Sequence, residues 1–251
     1  MEDFISIRKL YKKLGDQEVL RGVDLDVRSG ETLVVIGRSG GGKSVLLKHL
    51  IGLLQPDSGE VMVDSESIGR MTERQLLRVR RKFGMVFQGA ALFDSMTVEE
   101  NVAFGLRRHE NLTEGEIDKR VAAALEMVDL PGTQKKNPAE LSGGMRKRVG
   151  LARAIIYEPQ IILYDEPTTG LDPIVSDSID KLIIRVRDTF KVTSVVVTHD
   201  MRSARRVGNH VYLLHDKRIY AHGPPEEMFN STDPIVRQFI DGVADLKETI
   251  F

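Results

Sequence analysis

A short glycine-rich run carries the clearest chemistry in this sequence. It combines glycines that let the backbone fold tightly around an anion, a lysine that supplies charge, and a hydroxyl that can ligate Mg²⁺. The run consists of Gly37, Arg38, Ser39, Gly40, Gly41, Gly42, Lys43 and Ser44. This pattern is typical of a phosphate-binding P-loop.

The residues on either side supply the context that such a loop requires. Residues 32–36 are apolar and β-branched, which predicts a buried parallel strand, and Val45 begins a segment with helical spacing. A helix that starts directly after the loop adds unpaired N–H groups and a partial positive charge. We therefore predict that a phosphate binds where the strand ends and the helix begins.

Two adjacent carboxylates follow another apolar stretch. Residues 161–164 predict a buried strand, and Asp165 and Glu166 stand at its end. In P-loop enzymes an Asp at this place helps to hold Mg²⁺, and the next acidic residue can polarise the attacking water. Neighbouring side chains on a strand diverge, so the two carboxylates can take these different roles.

Gln88 and His199 also follow predicted strands, at residues 84–87 and 194–198. Ligands of open parallel sheets bind beyond the carboxyl ends of the strands, so both side chains are candidates for the same site. A single His after a strand is more often structural. The position of His199 beside the other strand ends favours a functional role.

Two further candidates have ordinary alternatives. Ser142, Gly143 and Gly144 open a predicted helix, and this start is either a second anion site without its own lysine or a plain glycine-rich cap. Tyr11 lies about one strand pair ahead of the P-loop. Its ring either stacks on an adenine or belongs to an ordinary strand end.

The order of predicted elements indicates an α/β fold with a P-loop NTPase (RecA-like) core built on a parallel sheet. Alternating strands before residue 28 predict an N-terminal antiparallel β subdomain with one exposed face. Residues 89–156 show helical patterns and no convincing strand, which predicts an inserted α-helical subdomain. The core then comprises residues 1–88 and 157–230, and residues 231–251 form a C-terminal helix and tail of the same single domain.

Composition limits the remaining possibilities. The chain has 251 residues, 36 basic against 37 acidic, and a net charge of −1, so no overall positive field favours nucleic acid. It contains no Cys, which excludes disulfides and thiolate metal sites. The start is acidic where a signal peptide is basic, and no apolar run approaches the ~20 residues that span a bilayer. We expect a soluble, cytoplasmic protein.

The order of these motifs resembles that of ATP-binding cassette (ABC) ATPases over nearly the whole chain. The resemblance implies ATP and Mg²⁺ as cofactors, a head-to-tail homodimer, and an adenine-stacking role for Tyr11. It also implies that Ser44, Gln88 and Asp165 hold the metal, Glu166 polarises water, and His199 steadies the γ-phosphate. The corresponding motifs are Gly37 to Ser44 as Walker A, Gln88 as Q-loop, Leu141 to Met145 as signature, Asp165 and Glu166 as the Walker B end, Thr169 to Asp172 as D-loop, and His199 as switch histidine.

Three separated segments are similar to the ATPases of Mce-associated, Mla-type phospholipid transporters. They are residues 87–98, the Leu-Ser-Gly-Gly-Met signature with Met145 where many relatives have Gln, and residues 233–242. This resemblance implies an integral membrane permease, a periplasmic Mce-type lipid-binding protein and a STAS-domain protein as partners. It also implies a place on the cytoplasmic face of the inner membrane. Another cargo, such as an amino acid, a metal or lipopolysaccharide, is the alternative. A soluble ABC ATPase of DNA repair or translation is a further one, disfavoured because the chain lacks a heptad run and holds a single cassette.

The C-terminal segment carries a prediction of its own. Ile235, Val236, Phe239 and Ile240 recur at helical spacing and predict one apolar stripe on a short helix. The chain ends in the apolar pair Ile250 and Phe251. Either the helix packs on its own domain and the last residues fray, or these two residues dock on a partner subunit.

Overall fold

A computed structural model describes residues 3–243 of the chain. Its central sheet has six strands, of which five run parallel and the outermost is antiparallel. In order across the sheet they are β10 (Arg218–Gly223), β9 (His210–His215), β3 (Thr32–Ile36), β8 (Thr193–Thr198), β7 (Ile161–Asp165) and β6 (Phe83–Val86). The carboxyl ends of β3, β8, β7 and β6 therefore share one edge, as predicted.

A second, antiparallel sheet forms largely from the N-terminal part of the chain. Its strands are, in order, β2 (Gln17–Arg28), β1 (Asp3–Leu14), β4 (Ser58–Val63) and β5 (Glu66–Ser67). A tight turn at Gly15 and Asp16 separates β1 from β2.

Ten α-helices complete the part of the fold that residues 3–243 describe. They are α1 (Lys43–Leu50), α2 (Glu73–Arg80), α3 (Val98–Ala103), α4 (Leu106–His109), α5 (Glu114–Met127), α6 (Gly143–Ile155), α7 (Pro173–Phe190), α8 (Met201–Val207), α9 (Pro225–Phe229) and α10 (Pro234–Asp241). Between residues 89 and 156, all of which are described, there is no strand. The predicted fold class is confirmed, while the limits of the helical subdomain stay a prediction.

The two faces of the six-stranded sheet face two different cores. Because side chains alternate along a strand, Leu33 and Val35 of β3 pack with the antiparallel sheet and α1, whereas Val34 and Ile36 pack with the later helices. Because both faces of the sheet are covered, every residue of β3 is buried. Four of the five are apolar, and the fifth, Thr32, is small. The strand that leads into the glycine-rich loop is thus fixed from both sides.

Residues 98–109 form two short helices, α3 and α4, in place of one continuous helix. The break falls at Gly105, where an added Cβ would lie 1.6 Å from the hydroxyl oxygen of Tyr157. Only glycine allows this approach, and its backbone stays in the right-handed helical region, with φ −79° and ψ −35°. Periodicity alone does not carry this information.

The C-terminal helix forms as predicted. In α10, Val236 is buried and Ile235, Phe239 and Ile240 are half-buried against the same core. Ile250 and Phe251 lie outside the described residues. Within residues 3–243, no helix is both long and apolar enough to cross a membrane.

Candidate functional site

The glycine-rich loop joins β3 to α1 and needs glycine at two places for different reasons. A Cβ on Gly37 would lie 2.5 Å from the carbonyl oxygen of Leu214, so the backbones approach too closely for any side chain. Gly42 adopts a φ of +99°, a left-handed conformation that side chains disfavour, immediately before α1. The sequence therefore folds into a tight loop that delivers its N–H groups to the start of the helix.

The start of α1 leaves its donors available. Within the described part of the chain, no side chain caps this helix, and its first turn holds no acidic residue. The first N–H groups of a helix have no partner inside the helix and carry partial positive charge. An anion at this point would receive both the donors and the favourable field.

Lys43 points its ammonium into the loop. Nζ donates to the carbonyl of Gly37 at 2.8 Å and to that of Arg38 at 3.0 Å, and it lies 3.4 Å from Oε1 of Glu166. Only 5% of the side chain is exposed. A buried ammonium is costly unless carbonyls or anions surround it, and this arrangement suits a group that exchanges loop carbonyls for phosphate oxygens.

Ser44 and Asp165 come together from distant parts of the chain. The hydroxyl of Ser44 at the start of α1 donates to Oδ1 of Asp165 at the end of β7, at 2.9 Å. A hydroxyl and a carboxylate are the hard oxygen donors that Mg²⁺ prefers. The donor set at this position therefore fits the ion, with the remaining coordination left for water and phosphate.

Glu166 forms the centre of a hydrogen-bond group. Its Oε2 accepts from Nδ1 of His199 at 2.8 Å, from the backbone N–H of His199 at 3.3 Å, and from the hydroxyl of Thr169 at 3.2 Å. The residue adopts a φ of +50°, which is unfavourable for a side-chain-bearing residue, and its N–H donates to the carbonyl of Val197. Strain of this kind is concentrated at functional sites. His199 belongs to the site, and its ring is 58% exposed toward solvent.

A cavity of about 290 Å³ collects most of the predicted residues. Its lining includes Ser39, Gly40, Gly42, Lys43, Ser44, Val45, Gln88, Glu166 and His199. Arg38 and Gly41 lie on the far side of the loop, where with Gly40 they line an adjacent cavity of about 350 Å³ that reaches Phe239 on α10.

Tyr11 does not reach this cavity. It pairs with Ser58 of β4, and a Cβ on Gly22 would lie 2.9 Å from its hydroxyl oxygen, so the ring packs against Gly22 of β2 while 40% of the residue stays exposed. Shifts in the register of β1 on both sides of Leu10 displace the alternation of its side chains. Leu14, with Gln17 and Val19, lines the cavity instead. The stacking role of Tyr11 stays a prediction, and Leu14 and Val19 supply apolar contact area at the cavity.

The start of α6 lies apart from the cavity. The hydroxyl of Ser142 accepts from the N–H of Met145 at 3.3 Å, which makes Ser142 the N-cap, and Gly143 and Gly144 form the first turn. A Cβ on Gly144 would lie 2.6 Å from Cγ1 of Val175 on α7. Asp172 caps α7 in a similar way, since Oδ1 accepts from two backbone N–H groups. A single chain does not bring these two motifs to the phosphate loop.

The sequence did not single out Lys147, which the structure places beside the site. Its ammonium donates to the backbone carbonyls of Gln88 and of Glu166, the second at 3.3 Å. Lys147 stands at helical spacing between the buried residues Gly144 and Leu151 of α6. A charged residue on the apolar stripe of a helix was the signal that could have identified it.

A family model described as ABC transporter matches residues 20–169. The chain is 43% identical over 238 residues to a probable ribonucleotide transport ATP-binding protein, mkl, of Mycobacterium leprae, covering 95% of this chain and 69% of that one. It is 39% identical over 244 residues to the intermembrane phospholipid transport system ATP-binding protein MlaF of Haemophilus influenzae, covering 97% and 92%. The chain spans 66% of the Mycobacterium tuberculosis mkl protein.

Solved structures are similar as well. The cbiO1 protein of Clostridium perfringens, part of the ABC transporter complex cbiONQ, superposes with a TM-score of 0.85 at 29% identity, covering 95% of each chain. The ATP-binding cassette MJ0796, in a dimeric post-hydrolysis state bound to ADP and Pi, superposes with a TM-score of 0.81 at 32% identity, covering 88% of this chain and 98% of that one.

Proposed function

The chain belongs to the ABC transporter family, and we propose that two copies of it hydrolyse ATP head to tail to power the movement of phospholipid between membranes. Members of this family are ATPases that use ATP with Mg²⁺ and work as dimers with membrane components. The observation that carries the proposal is the group formed by Lys43, Glu166 and His199 beside the pair Ser44 and Asp165.

The residues of one chain take up the nucleotide. Lys43 and the N–H groups at the start of α1 bind the β- and γ-phosphates, and the phosphate oxygens replace the loop carbonyls that now surround the ammonium. Ser44 and Asp165, with Gln88, would hold Mg²⁺. When bound, this ion would supply positive charge that offsets the negative charge developing on the phosphate oxygens.

Glu166 and His199 act on the attacking water and the γ-phosphate. Lys43 is drawn toward the phosphate when nucleotide binds, which frees one carboxylate oxygen of Glu166 to polarise water. Thr169 and the backbone N–H of His199 hold the other oxygen in place. His199 keeps its exposed edge for the γ-phosphate, so one hydrogen-bonded group orients the water and contacts the phosphoryl group that the water attacks, while ADP leaves.

The second copy completes the site. Ser142 and the glycines after it offer helix donors without a lysine, and Asp172 lies in the turn before α7. In the proposed dimer, Ser142 of one chain faces the γ-phosphate bound by Lys43 of the other. ATP therefore favours the closed dimer, and hydrolysis releases it.

The cargo and the accessory partners follow from the relatives. The MlaF protein is named for intermembrane phospholipid transport and is matched over almost its whole length, whereas mkl is named for ribonucleotide transport and is matched over a smaller share. We favour phospholipid for this reason. The helices of residues 89–156 would contact an integral membrane permease on the cytoplasmic face of the inner membrane, with a periplasmic Mce-type protein and a STAS-domain protein as further partners.

The test is to purify the tagged chain from solubilised membranes and identify what accompanies it. We expect an integral membrane protein, bound phospholipid detected by mass spectrometry, and ATPase activity that changes when the complex is placed in phospholipid vesicles. A bound ribonucleotide, amino acid or metal in place of lipid would move the cargo to another class. An active chain that copurifies with no membrane protein would favour a soluble ABC ATPase.

A further inference from the structure

The ammonium of Lys147 is buried in a place where an apolar residue would pack at less cost. The residue is 7% exposed, and it lies on the stripe of α6 that also buries Gly144, Leu151 and Ala154. Burying a charge is unfavourable unless hydrogen bonds compensate. Here the compensation comes from two backbone carbonyls, those of Gln88 and Glu166, which lie 59 and 19 residues away in sequence.

These two carbonyls belong to the segments that surround the reacting phosphate. Gln88 follows β6 and lines the cavity, and Glu166 follows β7 in a left-handed conformation. Neither segment is fixed by strand pairing beyond Val86 and Asp165. One side chain from α6 thus joins two separate strand ends and contributes to holding the strained backbone of Glu166.

Lys147 also shares a rigid element with Ser142. Five residues separate them, which corresponds to roughly 7.5 Å along a helix axis. In the proposed dimer Ser142 contacts the nucleotide of the partner, whereas Lys147 contacts the segments around the nucleotide of its own chain. A displacement of α6 at one site is therefore transmitted to the other.

We propose that Lys147 is a positioning residue that couples the two nucleotide sites of the dimer, by fixing Gln88 and Glu166 to the helix that presents Ser142. The proposal rests on the dimeric function proposed above. When Ser142 contacts the partner's nucleotide, α6 is held in one position. Lys147 then holds the backbone of Glu166 where its carboxylate can polarise the water that attacks the γ-phosphate. When α6 is displaced, the carbonyl of Glu166 loses its charged donor and keeps only the N–H of Thr169 at 3.3 Å, and hydrolysis slows.

Arg153 provides a matched control on the same helix. Its guanidinium donates to the carbonyls of Ala90 and Ala91, each at 2.7 Å, and both alanines have left-handed φ values, +60° and +48°. Arg153 therefore fastens the segment after Gln88 to α6, as Lys147 does. Only Lys147 also reaches Glu166.

The experiment compares Lys147→Met, Lys147→Arg and Arg153→Met in the full chain. For each we would measure Tm, nucleotide affinity of the monomer, kcat and KM for ATP, and, in a Glu166→Gln background, the ATP concentration at which half of the chains dimerise. Lys147→Met should lower kcat about 10- to 100-fold, the range for losing a hydrogen bond from a charged donor. It should also raise the ATP concentration at which half of the chains dimerise. Monomer affinity and KM should stay within about twofold of wild type.

The other two variants decide whether the effect is specific. Lys147→Arg keeps donors at the same place and should recover most of kcat, and Arg153→Met should keep kcat within about threefold even where its Tm falls. Wild-type kcat and closure in Lys147→Met would overturn the proposal, as would an equal loss in Arg153→Met. If Lys147→Met does not fold, Lys147→Gln replaces it, since glutamine is a neutral donor. The kcat of Lys147→Gln should lie below that of Lys147→Arg but above zero. A wild-type kcat in Lys147→Gln would overturn the role of the charge. Failure of the wild-type chain to hydrolyse ATP or to dimerise would instead refute the function proposed above.

Discussion

The starts of α1 and α6 are chemically alike and structurally different. Gly42 precedes α1 and two glycines open α6, and both starts direct backbone N–H groups outward, but α1 opens beside a buried lysine and two carboxylates, whereas α6 is capped by the exposed Ser142. The same backbone feature therefore serves two roles according to its surroundings. In the proposed dimer, the start of α1 binds and activates a phosphate, and the start of α6 completes the site of the other chain.

A third helix start shows what excludes an anion. Asp200 caps α8, and its Oδ1 accepts from the N–H groups of Arg202 and Ser203. A carboxylate already satisfies the donors and the partial charge there. The comparison predicts that the start of α1 binds phosphate, that the start of α6 contacts a phosphate bound by the partner, and that the start of α8 binds no phosphate.

The largest effect is expected at the catalytic carboxylate. Glu166→Gln keeps the shape of the side chain but removes the charge that polarises water, so turnover should fall about 10²- to 10⁴-fold. ATP binding should persist, and the variant should accumulate as an ATP-bound dimer visible by size-exclusion chromatography. Wild-type turnover would move the role elsewhere, with Asp165 the next candidate.

The next largest effect tests the lysine that distinguishes α1 from α6. Lys43→Ala removes the buried ammonium of the loop and should abolish turnover mainly by weakening nucleotide affinity about 10- to 100-fold. Fluorescent-nucleotide titration measures that affinity directly. Unchanged affinity and turnover would show that the helix start alone binds the phosphate.

Mixing two inactive variants tests whether α6 acts on the partner's site. Ser142→Arg chains and Lys43→Ala chains should form heterodimers in which one site carries both defects and the other carries neither. Roughly a quarter of wild-type activity should return if the sites work independently. Activity no greater than that of the separate variants, with heterodimers demonstrated, would contradict sharing between chains.

A smaller effect concerns the aliphatic wall beside α1. Leu14→Ala removes apolar contact area from the cavity and should raise KM for ATP roughly two- to fivefold. Tyr11→Ala serves as the control, since the Tyr11 ring packs against Gly22 and lines no part of the cavity. A larger rise in KM for Tyr11→Ala than for Leu14→Ala would support the stacking role that the sequence predicted.

The smallest effect concerns the contribution to folding stability of Asp180, a buried carboxylate that contacts the first turn of α8. Burial, with the nearby Asp200, raises the pKa of Asp180 to about 6, and its Oδ2 accepts from Ser203 at 3.0 Å. Because the folded-state pKa exceeds the unfolded value of 3.8, the folded state binds more protons between these values, and stability falls as pH rises through that window. At pH 8, Asp180→Asn should raise the free energy of unfolding by about 1–2 kcal/mol and Tm by a few °C. At pH 4.5 it should change Tm little. Asp177→Asn, which alters a more exposed carboxylate of the same helix, is the control, and an equal pH-dependent gain there would exclude burial as the cause.

Much of the site could be predicted because its parts are set by local rules. The P-loop depends on the conformational freedom of glycine and on a lysine and a hydroxyl at fixed spacing. Glu166 and His199 follow apolar strands, and parallel strands bring such ends to one edge of a sheet. These relations hold within a few residues or follow from sheet topology, so the sequence determined them by itself.

The tertiary structure decided the features that depend on contacts between distant segments. Leu14 lines the cavity whereas the ring of Tyr11 packs against Gly22, and the hydroxyl of Tyr157 lies where a Cβ on residue 105 would be. Lys147 gained its role only when α6 packed beside the ends of β6 and β7. Spacing along the chain reports a residue's own strand or helix, whereas these outcomes depend on which atoms of other elements occupy the neighbouring space.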